Sequence, residues 1–526
     1  MNKGMVRSAG LIGIATMASR LLGVAREMAL AWVFGAGTQM DAFNVAFRIP
    51  NLVRDLFAEG AMSAAFVPTF TRTLASRGKP AAWRLGNLVL NALLVVTGTL
   101  VVLGIVFAEP ITHAIAGDEF SAIPGKLELT TELTRIMLPF LTTVAIAVAL
   151  MGMLNSLHRF FLPALSPAMF NVATIFCAVA VVPLMPLVGL PPIAGIAIGT
   201  LLGGLGQIAL QWPSLHREGF RYSPVVDFRD PELSEVLRLM IPGTLGLAAV
   251  QINVFVNTYL ATTQPEGSVS WLGYAFRLMY LPIGLFGVSI ATAALPTIAR
   301  QAGEADKAAI RGTVSRGLRL MLSLNVPATV GLIVLARPIV ELIYERGRFG
   351  PGDSAATAAA LMFYAPGLLG YSAVKIASPT FYSLKDSRTP VIVSVLSVAA
   401  NLALNLWLVH VLSFRGLALG TAIAAVLNAV ILLALLSQRL GGLDGRRIAT
   451  SATKISVASA LMGAAVWLVA AWLETAVPGS ALSIRAIRVF TSIAAGVIVL
   501  IIAARALRIE ELDDALRRLA RRSVPS

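Results

Sequence analysis

Residues 41–72 read DAFNVAFRIPNLVRDLFAEGAMSAAFVPTFTR, an apolar stretch long enough to cross a bilayer and punctuated by charges. Two pieces of it return far down the chain. Ala46-Phe47-Arg48 recurs as Ala275-Phe276-Arg277, and Pro68-Thr69-x-x-Arg72 as Pro296-Thr297-x-x-Arg300. Pro139, Ser156-Leu157 and Pro163 likewise match Pro366, Ser383-Leu384 and Pro390. The offsets are 229, 228 and 227 residues, in order, which marks an internal duplication.

Hydropathy defines what was duplicated. Of 526 residues, 57% are hydrophobic and 13% charged. A soluble fold of that composition lacks the polar residues to cover its surface, so a soluble enzyme is excluded. Apolar runs predict fourteen helices, near 8–33, 40–71, 85–108, 129–155, 161–183, 190–212, 233–261, 269–299, 313–336, 354–382, 389–410, 415–437, 449–473 and 486–507. The repeat offset holds six of them, an even number, so both copies enter the membrane in the same direction. The expectation is an all-α polytopic membrane protein with fourteen transmembrane helices. Two six-helix lobes would be related by a pseudo-two-fold axis along the membrane normal, with two extra C-terminal helices. Residues 1–212 would form the first lobe, 213–232 a cytoplasmic linker, 233–438 the second lobe, 449–507 helices thirteen and fourteen, and 508–526 an amphipathic cytoplasmic tail lying on anionic lipid.

The formal charge of +15 is explained by topology rather than by a nucleic-acid partner. With the N-terminus inside, the inner segments carry 25 Lys and Arg and the outer ones five to seven, which predicts both termini in the cytoplasm. Lys126 is one of the outer charges. Arg20, Arg26 and Glu27 interrupt the first apolar run, which argues for a retained helix rather than a cleaved signal. The single cysteine, Cys177, excludes an internal disulfide.

Charges inside spans point to function, because an arginine near a helix centre costs about 2.5 to 3.5 kcal/mol unless it faces water or a partner. Arg20 and Arg26 lie in the first helix, and Glu27, seven residues after Arg20, is placed to neutralise it. In the second helix Asp41, Arg48, Asp55 and Glu59 form one stripe, with Arg54 about 120° away. The acids of that stripe are expected to pair with Arg48 or with neighbouring helices. Pro50 and Gly60 are candidate hinges, with a bend expected near Pro50. Arg277 is the repeat mate of Arg48, and Lys375 is a further cation. A cleft gathering Arg20, Arg26, Arg48 and Arg277 suits an anion with several oxygens, because guanidinium binds phosphate bidentately. Asn253 and Asn257, and Asn401 and Asn405 with Thr421, offer oxygens to a monovalent coupling cation, although interhelical amide packing accounts for them better. Scattered histidines and the lack of HExxH, Walker or GxSxG patterns argue against an enzyme.

These residues resemble a known family. The run from Asp41 to Pro68, with SRLLGVARE (Ser19 to Glu27), FGAG (Phe34 to Gly37) and the segment Ser268 to Ile290, is similar to the MviN/MurJ lipid II flippases. That family belongs to the multidrug/oligosaccharidyl-lipid/polysaccharide exporter superfamily. The resemblance implies flipping of the undecaprenyl-diphosphate-linked peptidoglycan precursor across the bacterial inner membrane, with no cofactor. Coupling would be to the membrane potential or a monovalent cation. It implies a cationic central cavity and a groove at the last two helices for the polyprenyl tail. Arg20, Arg26, Arg54 and Arg277 would be the essential arginines, with Asp41 and Glu59 as acidic partners. Asp55 departs from the family, which often has Lys or Arg there. Membrane lipids and cell-wall synthesis machinery are the implied partners. The alternative is another substrate of the same superfamily, either a capsule or O-antigen lipid-linked oligosaccharide or a drug.

Overall fold

The computed structural model describes residues 3–55 and 62–511, with side chains left out at 3–14, 53, 63–64 and 241–249. Every described element is helical. Among the described residues ten helices are long and apolar enough to cross a membrane, or eleven if Pro351–Tyr364 and Gly367–Ser383, bent by 45° at their junction, count as one span. The fourteen spans expected from hydropathy are not reached by that measure. Of the expected spans, the first and seventh are helical but stand outside the ten, the second is described as helix only on either side of residues 56–61, and the tenth is the bent pair.

Contacts divide the chain into two units, Met1–Ser270 with Gly347–Phe349, and Trp271–Arg346 with Gly350–Ser526. The first contains α1 (Lys3–Phe34), α2 (Thr38–Arg54), α3 (Met62–Val106), α4 (Ala108–Ile115), α5 (Asp118–Ser121), α6 (Lys126–Met137), α7 (Phe140–Ser156), α8 (Phe161–Phe176), α9 (Ala194–Arg217) and α10 (Pro231–Thr262). Its core is built from Phe66, Phe70, Leu85, Met153, Phe220 and Leu233, where α3, α7 and α10 meet. Gly78, at φ 79°, breaks α3 into two spans at a position an L side chain would strain. After α8 the helix loosens into a π turn and then a 3-10 turn carrying Pro183 and Pro186, each of which lacks an N–H for the regular ladder.

The second unit takes up the chain within α11 (Ser268–Pro282). It continues through α12 (Val288–Gly303), α13 (Lys307–Val334), α14 (Ala336–Ile343), α15 (Pro351–Tyr364), α16 (Gly367–Ser383), α17 (Arg388–Leu412), α18 (Phe414–Leu440), α19 (Gly445–Ala476) and α20 (Leu482–Ala506). Ile298, Val314, Phe381, Leu432 and Leu436 form its core. The last two helices belong to this unit: α19 packs along α13, and α20 along α19. Trp407, Trp467, Trp472 and Phe490 are exposed along the helices, as lipid-facing positions should be.

The expected cytoplasmic linker is not a slack tether. Residues 218–230 are strapped along α3. Asn87 donates to the Arg221 carbonyl (2.9 Å) and accepts from the Ser223 N–H (3.0 Å), while Asn91 donates to Ser223 and Val225. Ion pairs reinforce the strap, with Lys79 and Arg159 on Glu218, Arg77 on Glu232, and Arg84 on Asp230. The bonds from Arg159 and Lys79 hold the Glu218 carboxyl below its ordinary range.

Candidate functional site

The internal repeat becomes physical at its phenylalanines. Phe47 packs on Phe140 and Phe170, both at 5.9 Å between ring centroids, in the first unit. Its mate Phe276 packs on Tyr364 at 5.5 Å and on Tyr371 at 6.2 Å in the second. In each unit the aromatic ring anchors the helix, and the next residue, Arg48 or Arg277, is turned about 100° away, where it is half-buried.

Arg26 reaches the same aromatic platform from α1. Its guanidinium lies 5.0 Å from the Phe170 centroid, so Phe170 touches both Phe47 of α2 and Arg26 of α1. Such a cation over a ring face gains about 0.5 to 2 kcal/mol. Arg26 also pairs with Glu27 beside it, Nε donating at 3.1 Å. This corrects the expectation that Glu27 neutralises Arg20. The seven-residue spacing put both on one helical face, but Glu27 meets the nearer guanidinium of its neighbour. Arg20 is exposed, and no described acid pairs with it.

Of the partners expected for the acids of the α2 stripe, Arg48 or neighbouring helices, the described acids take the second. Neither Asp41 nor Asp55 pairs with Arg48. Asp55 accepts from Arg54 (Nη2 at 2.7 Å, Nε at 3.1 Å) and from Gln251 of α10 (3.3 Å). Asp41 is fully buried and accepts four bonds, from Lys126 Nζ (3.1 Å), the Gly267 N–H (2.8 Å), and the Ser270 N–H (3.0 Å) and Oγ (2.6 Å). Ser270 is the position 229 residues on from Asp41, its own repeat mate. Lys126 is as buried as its partner, and its ammonium lies 4.4 Å from the Phe120 ring centroid. It is therefore a structural ion rather than an outer-loop charge. Nearby, Glu266 accepts from the Thr38 N–H at 2.7 Å and from its hydroxyl, and these bonds hold its carboxyl below the ordinary range.

The helix stays continuous through Pro50, and its regular ladder gives way to a π turn at Asp55. Glu59 and Gly60 lie outside the described residues. Lys375 is exposed. The amides largely satisfy one another. Asn257 donates to Asn253 (3.4 Å), Asn405 to Asn401 (3.2 Å) and Asn401 to Thr421 (3.5 Å). The first pair lies in the first unit and the other three residues in the second.

Sequence reasoning missed Lys126, the Phe170 platform and Gln251. None of the three stood out locally, since Lys126 opens a helix that also carries Glu128, Glu132 and Arg135. Gly35 gives the FGAG motif a physical reason. It sits at φ 67°, and a Cβ there would come within 2.6 Å of the Arg348 carbonyl, whose N–H bonds the Trp32 carbonyl at 3.0 Å.

Comparison with known proteins decides the family. The model for "Lipid II flippase MurJ" matches residues 30–487. The chain belongs to the MurJ family. It is 35% identical over 461 residues to a probable lipid II flippase MurJ of Bdellovibrio bacteriovorus, covering 88% of this chain and 87% of that one. Among solved structures it is similar to a lipid II flippase MurJ in an inward closed conformation, with a TM-score of 0.76, 26% identity, and 94% and 99% of the two chains covered. An inward-facing multidrug resistance MATE transporter of the MOP superfamily shares the fold, with a TM-score of 0.68, 17% identity, and 82% and 99% of the two chains covered. MurJ membership together with the ten or more apolar spans makes this a multi-pass protein of the bacterial inner membrane.

Proposed function

We propose that the protein is a lipid II flippase. It carries the undecaprenyl-diphosphate-linked disaccharide-pentapeptide from the inner to the outer leaflet by alternating access, supplying cell-wall synthesis. It is a transporter with no covalent step. The observation that carries the reading is the MurJ match over residues 30–487, supported by Arg20, an exposed guanidinium without an acid partner among the described residues. A diphosphate needs donors of that kind. Arg26, Arg48, Arg54 and Arg277 are the further donors in this assignment. Glu27 and Asp55 hold Arg26 and Arg54 through pairs between chain neighbours; the Arg54–Asp55 pair is partly exposed and contributes little, so phosphate oxygens can replace its carboxylate, whereas Glu27 is buried beneath Arg26 and leaves the outward donors of that guanidinium to the substrate. Glu59 is assigned the same role, and Pro50 and Gly60 are the assigned hinges. Asp41 serves as an ion-pair residue at the outer end.

Both termini are assigned to the cytoplasm. Removing buried Lys126 from the outer tally strengthens the charge asymmetry behind that assignment. The polyprenyl tail is assigned to α19 and α20, and the machinery that consumes lipid II is the partner on the outer side. No cofactor is required. An inside-negative potential of 100 mV would favour outward passage of a dianion by roughly 4 to 5 kcal/mol. The test uses purified protein in vesicles with labelled lipid II, following both leaflet exposure and chemical products. Exposure without product, abolished by Arg20→Ala, Arg26→Ala or Arg277→Ala in folded protein, is expected. Undiminished flipping in all three variants would overturn the assignment.

A further inference from the structure

At the end of the second unit where α19 begins and α20 stops lies a cavity of about 370 Å³ whose walls are basic. Its construction starts in the backbone. Arg508 takes a left-handed φ of 51°, and the Ile509 N–H bonds the Ala504 carbonyl at 2.9 Å, so the chain turns back on itself after α20. Ile509 is thereby buried among Ile455, Ala458, Ala503 and Ala504. Glu511 comes against Arg319 of α13 and accepts from Ser451 Oγ of α19 at 3.1 Å. Lys454 Nζ donates to the Arg508 carbonyl at 3.4 Å, closing the other side.

The charges do not cancel. Glu511 is engaged by Arg319, whose Nε is nevertheless buried without a hydrogen-bond partner. Arg446, Arg447 and Arg508 also line the cavity, and none of them pairs with an acid among the described residues. The second acid of the lining, Glu510, also reaches Arg319 at 4.0 Å, with its side chain 86% exposed to solvent. Arg446 and Arg447 ride on the first turn of α19 and Lys454 follows two turns on, so the positive end of the helix dipole adds to the attraction of the side chains for an anion. From Lys454 the exposed residues Val457, Leu461, Ala464 and Leu468 follow at steps of three and four, an apolar stripe climbing the same face of a membrane-crossing helix.

A phosphate with an attached hydrocarbon chain fits both halves of this surface. We infer that the cavity binds the phosphate headgroup of an anionic phospholipid, with its acyl chain lying along Val457 to Leu468. The headgroup pocket is separate from the arginines of the substrate reading, since none of Arg20, Arg26, Arg48, Arg54 or Arg277 lines it, while the apolar stripe lies on α19, one of the two helices assigned to the polyprenyl tail. The bound lipid would tie α13, α19 and the turn after α20 together.

Native mass spectrometry of the full-length protein in detergent tests this, titrating phosphatidylglycerol, phosphatidylcholine and the water-soluble headgroup glycerophosphoglycerol. Retention of phosphatidylglycerol over phosphatidylcholine is expected. Each cation removed, in Arg446→Gln or Arg447→Gln, should weaken it roughly 5-fold, and Arg447→Gln with Lys454→Gln roughly 25-fold. Leu461→Asn should weaken the lipid and leave the soluble headgroup unaffected. Because these side chains are at least partly exposed, the melting temperature in lipid-free detergent should not change, which separates lost binding from lost folding. Equal retention by wild type and double variant overturns the site. Equal affinity for lipid and glycerophosphoglycerol overturns the lipid, leaving a free phosphate site. Arg20→Ala should retain phosphatidylglycerol at wild-type affinity, so failure of the flippase reading and failure of this one are distinguishable.

Discussion

The Asp41 end of α2 and the exposed face of α1 both place charge in an apolar protein, and they treat it in opposite ways. At Asp41 every lone-pair direction has a donor, and the counter-ion Lys126 is equally dry. At Arg20 the guanidinium is exposed and has no acid partner among the described residues. Saturation marks a charge whose partner is the protein itself. An unsaturated cation on an exposed helix face is held for something that arrives. Charge inside a transporter is therefore not uniformly functional, and the number of donors around each group sorts the two kinds.

The comparison breaks most visibly at Asp41. Asp41→Asn should cost about 3 to 5 kcal/mol, because it leaves the Lys126 ammonium buried without a counter-ion. Thermal melts in detergent should show a large drop, and Asp41→Asn combined with Lys126→Met should recover most of it. If flipping fell while the melting temperature held, Asp41 would belong with the substrate groups instead. Next in size, Arg20→Ala should slow flipping at least about 10-fold, the worth of one charge-assisted hydrogen bond, with an unchanged melt. Arg20→Lys should recover part of the rate, since the charge returns without the bidentate fork.

Smaller effects sharpen the same division. Asn405→Ala removes a buried amide that donates to Asn401 one turn earlier in α17, so a loss of about 1 kcal/mol in stability is expected. Flipping rates in sodium and potassium buffers should stay equal to each other in both proteins, and a sodium-specific rate would return the amides to a coupling role. The smallest effect concerns the strap on α3. The Glu218 carboxyl is depressed by Arg159 and Lys79, so its contribution is present above the ordinary carboxyl value of 4.5 and disappears only as pH falls through the lower folded value. Hydrogen exchange of residues 218–230 should be flat between pH 8 and 5 after correction for intrinsic rates, with loosening only in stronger acid.

Local pattern and duplication made the architecture legible. The Ala-Phe-Arg triplets announced two related helices, and the structure explains the phenylalanine as an anchor on Phe140 and Phe170 in one unit and on Tyr364 and Tyr371 in the other. Pairing was less legible, because helical periodicity fixes angles and not reach. A long arginine folds back on the next residue, so Glu27 meets Arg26 and Asp55 meets Arg54, where periodicity had assigned Glu27 to Arg20 and left Asp55 to Arg48 or a neighbouring helix. Lys126 was beyond reading altogether, since its partner lies 85 residues away and nothing local distinguishes it from a loop cation. The strap was visible only as mixed charge, and its acids acquire meaning from the bases of α3 and Arg159 opposite them.

The Asp41 knot also imposes an order on biogenesis. The carboxylate leaves the ribosome 85 residues before its ammonium partner, and 229 residues before the hydroxyl that completes its shell. Until α6 has been inserted, that end of α2 holds an uncompensated anion, and until Ser270 has emerged two of its acceptor directions are open. Closure of the N-terminal helices is thus chemically timed to the start of the second helix of the second repeat. Nascent chains stalled before that point should remain accessible to proteases, and those stalled shortly after it should resist them.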